Sequence, residues 1–250
     1  RPPRPGHQGY DGRVMSEPDS IDALAEEGDV ALEDGEYETA LEIFDEILDR
    51  DPEHWGAALG SAECLHMLWR TEEALEAVRA LTPPEEEEDD PDRADLEGRI
   101  LEALGRFEEA DRLFAEATRL EAEDYPPAVR LGAEDFRALL DTVLSSLPSV
   151  IRQAVIEVPV VVEPKPTREM ADREPAINPE VLGLFVGTPV GEKVNAGGGY
   201  GDVVLLFQRN LERAGRSREE VSREIKITLF HEYGHYLGFD EEELEHLGLG

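Results

Sequence analysis

The 250-residue chain contains a single cysteine, Cys64. One cysteine excludes a disulfide framework within the chain, and it also excludes a zinc site built from several cysteines. This usage is typical of a cytoplasmic protein, in which thiols stay reduced. The sequence also lacks any run that approaches the roughly 18 apolar residues of a transmembrane helix. We therefore expect no membrane-spanning segment.

Basic residues are scarce as well. The chain has 24 Lys and Arg against 59 Asp and Glu, which gives a formal net charge of −35. Nucleic acids and anionic membranes are not expected partners, because binding to either requires clusters of Lys and Arg. A basic protein or peptide is the partner that electrostatics favours.

The charge is unevenly distributed along the chain. Residues 1–132 carry 38 acids and 12 bases, whereas residues 133–250 carry 21 acids and 12 bases. This asymmetry predicts at least two regions with different roles. Residues 1–18 are interpreted as a disordered leader, and the like charges of TPPEEEEDDPD, residues 82–92, predict a solvated loop.

Two segments in the N-terminal half share one spacing of small and aromatic residues, with steps of 7, 2, 3 and 4. The first copy contains Gly28, Gly35, Tyr37, Ala40 and Phe44, and the second contains Gly98, Gly105, Phe107, Ala110 and Phe114. AECLHMLWRTEEALEAV lies between them as a further copy, at offsets of 34 and 36. Small residues let two antiparallel helices cross closely, and an aromatic ring fills the space beside them.

This pattern resembles the tetratricopeptide repeat family, with three copies over about residues 21–125. A generic helical bundle is the alternative. The resemblance implies an all-α solenoid of stacked helix pairs that binds a peptide or a protein partner. We assign residues 19–130 to this repeat region.

From Ala133 onwards the pattern predicts both helices and strands. We assign residues 131–250 to this α+β domain. AEDFRALLDTVLSSL has helical spacing, and AVIEVPVVVE is predicted as a strand in which Pro159 favours a sheet edge. Two further short strands are predicted near Leu184–Val186 and Val203–Phe207. A long helix is predicted from Arg216 to Leu237.

The last of these helices contains HEYGH, which fits the pattern H-E-x-x-H. His231 and His235 are four residues apart, so on a helix they share one face and can bind a single zinc ion. Zinc lowers the pKa of a bound water to near 7, and Glu232 is placed to take a proton from that water as a general base. A surface helix with an acidic cap is the structural alternative.

A catalytic zinc needs a third protein ligand and an open position. Gly238 is suited to end the helix, because glycine tolerates a left-handed backbone. The chain can then turn back and bring acidic residues towards the histidines. Glu241, ten residues after His231, is the expected third ligand, and Asp240 is the alternative.

The segment from Ala133 to Gly250 resembles the zincin-like metallopeptidase family of minimal zincins. LGLFVGTPV, GDVVLLFQRNLE and IKITLFHEYGHYLGFDEEELEHLG carry the resemblance. It implies the pattern H-E-x-x-H-x-x-G-x-x-D, with both histidines and the last aspartate as zinc ligands and the glutamate as catalytic base. His231, His235 and Glu232 fit this pattern, whereas the last position is Glu241, a departure from aspartate.

The resemblance also implies a compact α+β fold with a first helix, a small mixed sheet and the active-site helix packed beneath it. Zincin-like enzymes hold a substrate peptide as an added strand at a sheet edge. Val203–Phe207 is the candidate edge strand, with a buried core strand as the alternative. Tyr233 and Tyr236 are candidate oxyanion donors, although aromatic residues on a helix face more often belong to the core.

These features together predict a zinc-dependent peptidase that acts on a peptide or protein substrate, with repeats that dock the substrate or a partner. A second hypothesis is a tetratricopeptide adaptor or scaffold whose zincin domain binds metal but is weakly active or inactive. A third is a zinc hydrolase of non-peptide substrates, since H-E-x-x-H determines how water is activated but not which bond is broken.

Overall fold

The computed structural model describes residues 20–81, 90–172, 176–189 and 201–246. The predicted leader, most of the acidic loop and most of the Gly-rich stretch NAGGGYG, residues 195–201, lie outside these ranges. Across the described residues, no helix combines the length and the apolar character that crossing a membrane requires.

Six helices form three consecutive pairs in the N-terminal part, as the repeat pattern predicts. They are α1 (Ile21–Glu33), α2 (Tyr37–Arg50), α3 (Trp55–Met67), α4 (Thr71–Ala80), α5 (Pro91–Ala103) and α6 (Phe107–Leu120). Helix α5 begins inside the predicted acidic loop. Asp90 caps it by accepting a hydrogen bond from the backbone N–H of Arg93 at 3.0 Å, and Pro91 occupies its first turn, where proline is well tolerated.

Close helix crossings explain the repeated glycines. A Cβ atom at Gly28 would lie 2.7 Å from Phe44 Cε1, and one at Gly98 would lie 2.6 Å from Phe114 Cε1. Any side chain at these two positions would displace the buried ring of its own pair. The sequence spacing therefore reflects a packing requirement within each pair.

The turn inside each pair has one residue with a left-handed backbone. In the first and third pairs this residue is glycine, Gly35 with φ of 77° and Gly105 with φ of 73°. In the second pair the equivalent position is Trp69, with φ of 60°. A side chain in this region costs about 1–2 kcal/mol, so contacts elsewhere have to stabilise Trp69.

The described residues of the C-terminal part form six helices and three strands. They are α7 (Ala133–Ser146), α8 (Ser149–Glu157), β1 (Val160–Glu163), α9 (Arg168–Ala171), β2 (Gly183–Val186), β3 (Val203–Phe207), α10 (Gln208–Ala214), α11 (Arg218–Leu237) and α12 (Glu241–His246). The strands form a mixed sheet in the order β1-β3-β2. Strand β3 pairs in parallel with β1 and antiparallel with β2, so the α+β class and the mixed sheet are confirmed.

Two predictions about the strands were wrong. The segment AVIEVPVVVE is not one strand, because α8 extends to Glu157 and β1 begins only at Val160. Short apolar runs fit a buried helix as well as a strand, and Pro159 separates the two elements. Strand β3 is central and not at an edge. Its residues Val204 and Leu206 are fully buried, as the core-strand alternative predicts.

Helix α11 packs against the sheet and forms the core of the C-terminal part. Its buried residues Ile225 and Leu229 belong to one apolar cluster with Phe136 of α7 and Leu206 of β3. Helix α7 therefore shares a core with the histidine helix.

Candidate active site

Helix α11 has well-defined ends. The Ser217 side chain caps its start by accepting a hydrogen bond from the backbone N–H of Glu220 at 3.2 Å. Gly238 ends it with a left-handed backbone, φ of 96°, and Phe239 donates its N–H back to the Gly234 carbonyl at 3.1 Å. The chain reverses there and enters α12, as predicted from Gly238.

The two motif histidines converge on one another. Their Nε2 atoms are 2.9 Å apart, and their ring centroids are 4.6 Å apart with the rings nearly perpendicular. His235 Nδ1 lies 3.2 Å from the carbonyl oxygen of Phe239. A carbonyl can only accept, so Nδ1 carries the proton and the neutral ring has its lone pair on Nε2. A second ring nitrogen fixed in this way is typical of metal-binding histidines.

The spacing of the two nitrogens suits zinc. Two imidazole nitrogens bound tetrahedrally at 2.0–2.1 Å would be about 3.3 Å apart. The observed distance between Nε2 of His231 and Nε2 of His235 is 2.9 Å. Side-chain rotations that move these two atoms apart by a few tenths of an ångström would make room for a zinc ion. The donor set and its orientation fit the metal.

The described residues do not define the third protein ligand. Among the residues that the structure describes, no group of three or more His, Cys, Asp and Glu residues is arranged to hold a metal ion. Glu241 is the first residue of α12, but its side chain is outside the described part, as is that of His246. The role of Glu241 therefore stays a prediction.

Asp240, the alternative ligand, has a structural role at the start of α12. Its Oδ1 accepts a hydrogen bond from the backbone N–H of Glu243 at 2.9 Å, and Glu243 Oε2 accepts one from the backbone N–H of Asp240 at 3.1 Å. This reciprocal pair is a capping box, which satisfies two donors at a helix start.

Glu232, on α11, is buried against β2, which within the described sheet pairs only with β3. Only 6% of its surface is exposed, and its Oε2 accepts a 2.5 Å hydrogen bond from the backbone N–H of Phe185. A Cβ atom at Gly183 would lie 3.2 Å from Glu232 Oε1. The strand thus supplies both a donor and the space for the carboxylate, and sequence reasoning missed both Phe185 and Gly183.

The two tyrosines of the motif have other partners. The buried Tyr233 hydroxyl donates to the carbonyl of Val158 at 2.8 Å, and burial, followed by the nearby Tyr236, raises the pKa of Tyr233. Tyr236 donates to Glu157 Oε2 at 2.8 Å. Both hydroxyls bind the segment at the end of α8, as the core-aromatic alternative predicts.

Gly234 lies against α12 rather than against the sheet. A Cβ atom at Gly234 would lie 2.4 Å from Cδ2 of Leu244, a fully buried residue of α12. Because Gly234 has no side chain, α12 can pack closely against the turn of α11 that carries the two histidines.

Comparison with known families agrees with both parts of this description. Residues 155–250 match the family model described as Zincin-like metallopeptidase, and residues 31–100 match the model described as Tetratricopeptide repeat. Both resemblances are therefore confirmed: residues 31–100 are similar to tetratricopeptide repeats and residues 155–250 are similar to zincin-like metallopeptidases. No curated protein matches the chain. The boundaries at residues 19, 130 and 131 stay predictions.

Proposed function

We propose that the protein is a zinc-dependent peptidase. The observation that supports this most strongly is the convergence of the His231 and His235 nitrogens, 2.9 Å apart, beside a glutamate held by a strand at the edge of the sheet. Zincin-like domains are metallopeptidases by family description. A zinc hydrolase of other bonds is the alternative chemistry.

Each motif residue has a proposed role. His231, His235 and Glu241 hold zinc, and the use of Asp240 Oδ1 in the α12 cap favours Glu241 over Asp240. When bound, zinc polarises a carbonyl and lowers the pKa of water to near 7. Glu232 takes a proton from the attacking water and gives it to the leaving amine.

The environment of Glu232 supports its role as base. The Phe185 N–H donates to one carboxylate oxygen, Oε2. This contact fixes the direction of the side chain. A base whose geometry is set before substrate binding needs no reorganisation during the reaction.

Strand β2 replaces β3 as the proposed substrate strand. Within the described sheet, β2 pairs only with β3, and its residue Phe185 contacts Glu232. An extended peptide added beside β2 would have its main chain close to the base. We therefore propose that the substrate is a peptide or a protein. The net charge of −35 favours a basic one. We further propose protein partners for the repeats and a cytoplasmic location.

Zinc content and peptide cleavage test the proposal together. The purified protein should contain about one zinc per chain, lost in His231→Ala and Glu241→Ala and retained in Asp240→Ala. It should cleave members of an unstructured peptide library. Glu232→Gln should retain zinc and lose cleavage.

The outcomes distinguish the hypotheses. If the wild-type protein binds zinc but Glu232→Gln alters no measurable property, the adaptor hypothesis is favoured. If the protein takes up no zinc after reconstitution at neutral pH, the proposal is overturned.

A further inference from the structure

Residues 176–182, ahead of β2, lie on the repeat region. Trp69, in the turn after α3, donates its indole N–H to the main-chain carbonyl of Ile177 at 2.6 Å. The next residue, Asn178, is a side-chain hydrogen-bond partner of the Tyr37 hydroxyl at the start of α2. Two different helix pairs therefore contact consecutive residues of this segment.

Glu180 of the same segment is bound through its carboxylate. Its Oε1 lies 3.0 Å from Nε2 of His66, a fully buried residue of α3, and 3.9 Å from Lys165 Nζ. Burial alone would raise the pKa of Glu180, but the charges of Lys165, Arg213 and Arg99 and the His66 hydrogen bond hold it well below the usual range. The His66 contact thus holds the Glu180 carboxylate against α3.

The main chain on both sides of Glu180 is also bound. The side-chain amide of Asn210, in α10, donates to the carbonyls of Pro179 at 3.0 Å and Val181 at 2.6 Å. Its oxygen accepts a hydrogen bond from Lys165 at 2.5 Å. Main-chain carbonyls together with one carboxylate are the groups through which an extended peptide ligand is recognised.

Trp69 points to binding as the role of this face. The equivalent turn residues of the other two pairs are Gly35 and Gly105, which adopt the same left-handed backbone. The repeat fold therefore does not require a side chain at this position. A large residue kept in an unfavourable conformation is a marker of function, and the polar contact that the structure gives its ring is with Ile177.

We propose that the face of the repeats formed by Trp69 and His66 is a peptide-binding site, and that its occupant is residues 177–180 of the same chain. The site fits an extended peptide with a main-chain carbonyl for the indole and a carboxylate three residues later. An outside partner with this chemistry binds only by displacing the chain's own segment. The proposal is independent of zinc.

A peptide-binding experiment on the full chain tests the proposal. The probe is a labelled, capped peptide of residues 176–182, AINPEVL, and the matched control peptide has Gln in place of Glu. In the wild type the tethered segment has an effective concentration on the order of millimolar and excludes the probe. In Glu180→Lys the tethered segment is repelled by Lys165, Arg99 and Arg213, so the site opens.

The variant is expected to bind the probe about tenfold more tightly than the wild type does, and about tenfold more tightly than it binds the Gln peptide. The proposal is overturned if the folded variant does not bind the probe, or if it binds both peptides equally. Circular dichroism establishes that the variant is folded.

Hydrogen exchange gives a second test that does not depend on Glu180→Lys. Trp69→Gly introduces the residue that the sister turns already use, so the repeats should fold. Amide exchange within residues 176–182 should become about tenfold faster, while exchange in α1 to α6 stays unchanged. Trp69→Phe, which keeps a ring but lacks the N–H, should have a smaller effect in the same direction. Unchanged exchange in Trp69→Gly would overturn the proposal.

Discussion

The backbone N–H of Phe185 donates a 2.5 Å hydrogen bond to Oε2 of Glu232. This bond joins the edge strand β2 to the turn of α11 that carries both histidines. It means that the position of the proposed base depends on a strand almost fifty residues earlier in the chain. Any change that moves β2 should therefore alter activity without touching the H-E-x-x-H motif.

Gly183→Ala should impair both stability and cleavage. The new Cβ would lie 2.5 Å from Thr228 Cγ2 and 3.2 Å from Glu232 Oε1, so strand and helix must separate. Overpacking of this kind costs about 1–3 kcal/mol. Chemical denaturation and peptide cleavage measure the two effects.

Gly201→Ala is the matched control, because a Cβ at that position meets no atom of the described residues within 4 Å. It should change stability by less than about 0.5 kcal/mol. Equal effects from the two substitutions would contradict the role assigned to Gly183.

Gly234→Ala should weaken zinc binding. The added Cβ would lie 2.4 Å from Leu244 Cδ2, and α12, which begins with the proposed ligand Glu241, must move away. The gain in helix propensity, about 1 kcal/mol, offsets part of the stability loss but not the displacement. Titration with zinc measures the change.

Combining Gly234→Ala with Leu244→Ala provides the control. The smaller side chain restores the space, so the double variant should bind zinc more tightly than Gly234→Ala alone. The two changes should be non-additive, as expected for residues in contact. Strict additivity would argue against α12 as the element that positions the ligand.

The junction between the two parts should be sensitive to loss of one charge. Glu102, fully buried on α5, accepts from Arg209 Nε at 2.7 Å and from Arg130 Nη2 at 3.1 Å. Arg209→Met removes one partner and leaves the buried carboxylate undercompensated, which costs about 3 kcal/mol or more. Urea denaturation measures the loss.

The exposed pair of Arg50 and Glu46 serves as the comparison. Glu46→Gln should cost less than about 1 kcal/mol, because exposed ion pairs contribute little. Losses of similar size in the two variants would mean that the buried junction contributes no more than a surface pair.

Stability should decrease as the pH falls below neutrality. Burial lowers the pKa of His66 from its usual 6.5, against the opposing effect of Glu180. The unfolded chain therefore binds more protons below pH 6.5, and stability is lost as the pH falls through that value, by at most about 1.4 kcal/mol per pH unit. The low pKa of Glu180 adds a further loss below its usual value of 4.5.

Melting temperatures across this pH range test the assignment. His66→Gln removes the titrating ring while keeping a side-chain N–H for Glu180, so the slope between pH 6.5 and pH 5.5 should become flatter. An unchanged slope would assign the acid sensitivity to other groups.

The sequence predicts the features that repeat or that lie close together in the chain. The spacing from Gly28 to Phe44 predicts a helix pair because both residues belong to one local packing unit. The spacing of His231 and His235 is equally local. Gly238 predicts the end of α11, because that position requires a left-handed backbone conformation, which glycine adopts readily.

Contacts between distant segments could not be predicted in the same way. The residues around Phe185 do not indicate that its N–H binds Glu232, because a backbone N–H is not specific to any residue type and so cannot be recognised from the sequence. The packing of Gly234 on Leu244 requires the direction of α12. Trp69 did carry a signal, since it stands where the other copies have glycine, but its partner Ile177 could only be found in the structure.

The attachment of residues 177–180 also gives the repeats a fixed order. The second and third pairs supply His66, Trp69 and Glu102 to the junction, whereas the first pair adds Tyr37. Inserting or deleting a pair after Trp69 would move the C-terminal part out of register with its own binding face. An added helix pair is therefore tolerable only ahead of α1, because one inserted later would move Tyr37 or Trp69 away from the segment, and the array can lengthen at one end alone.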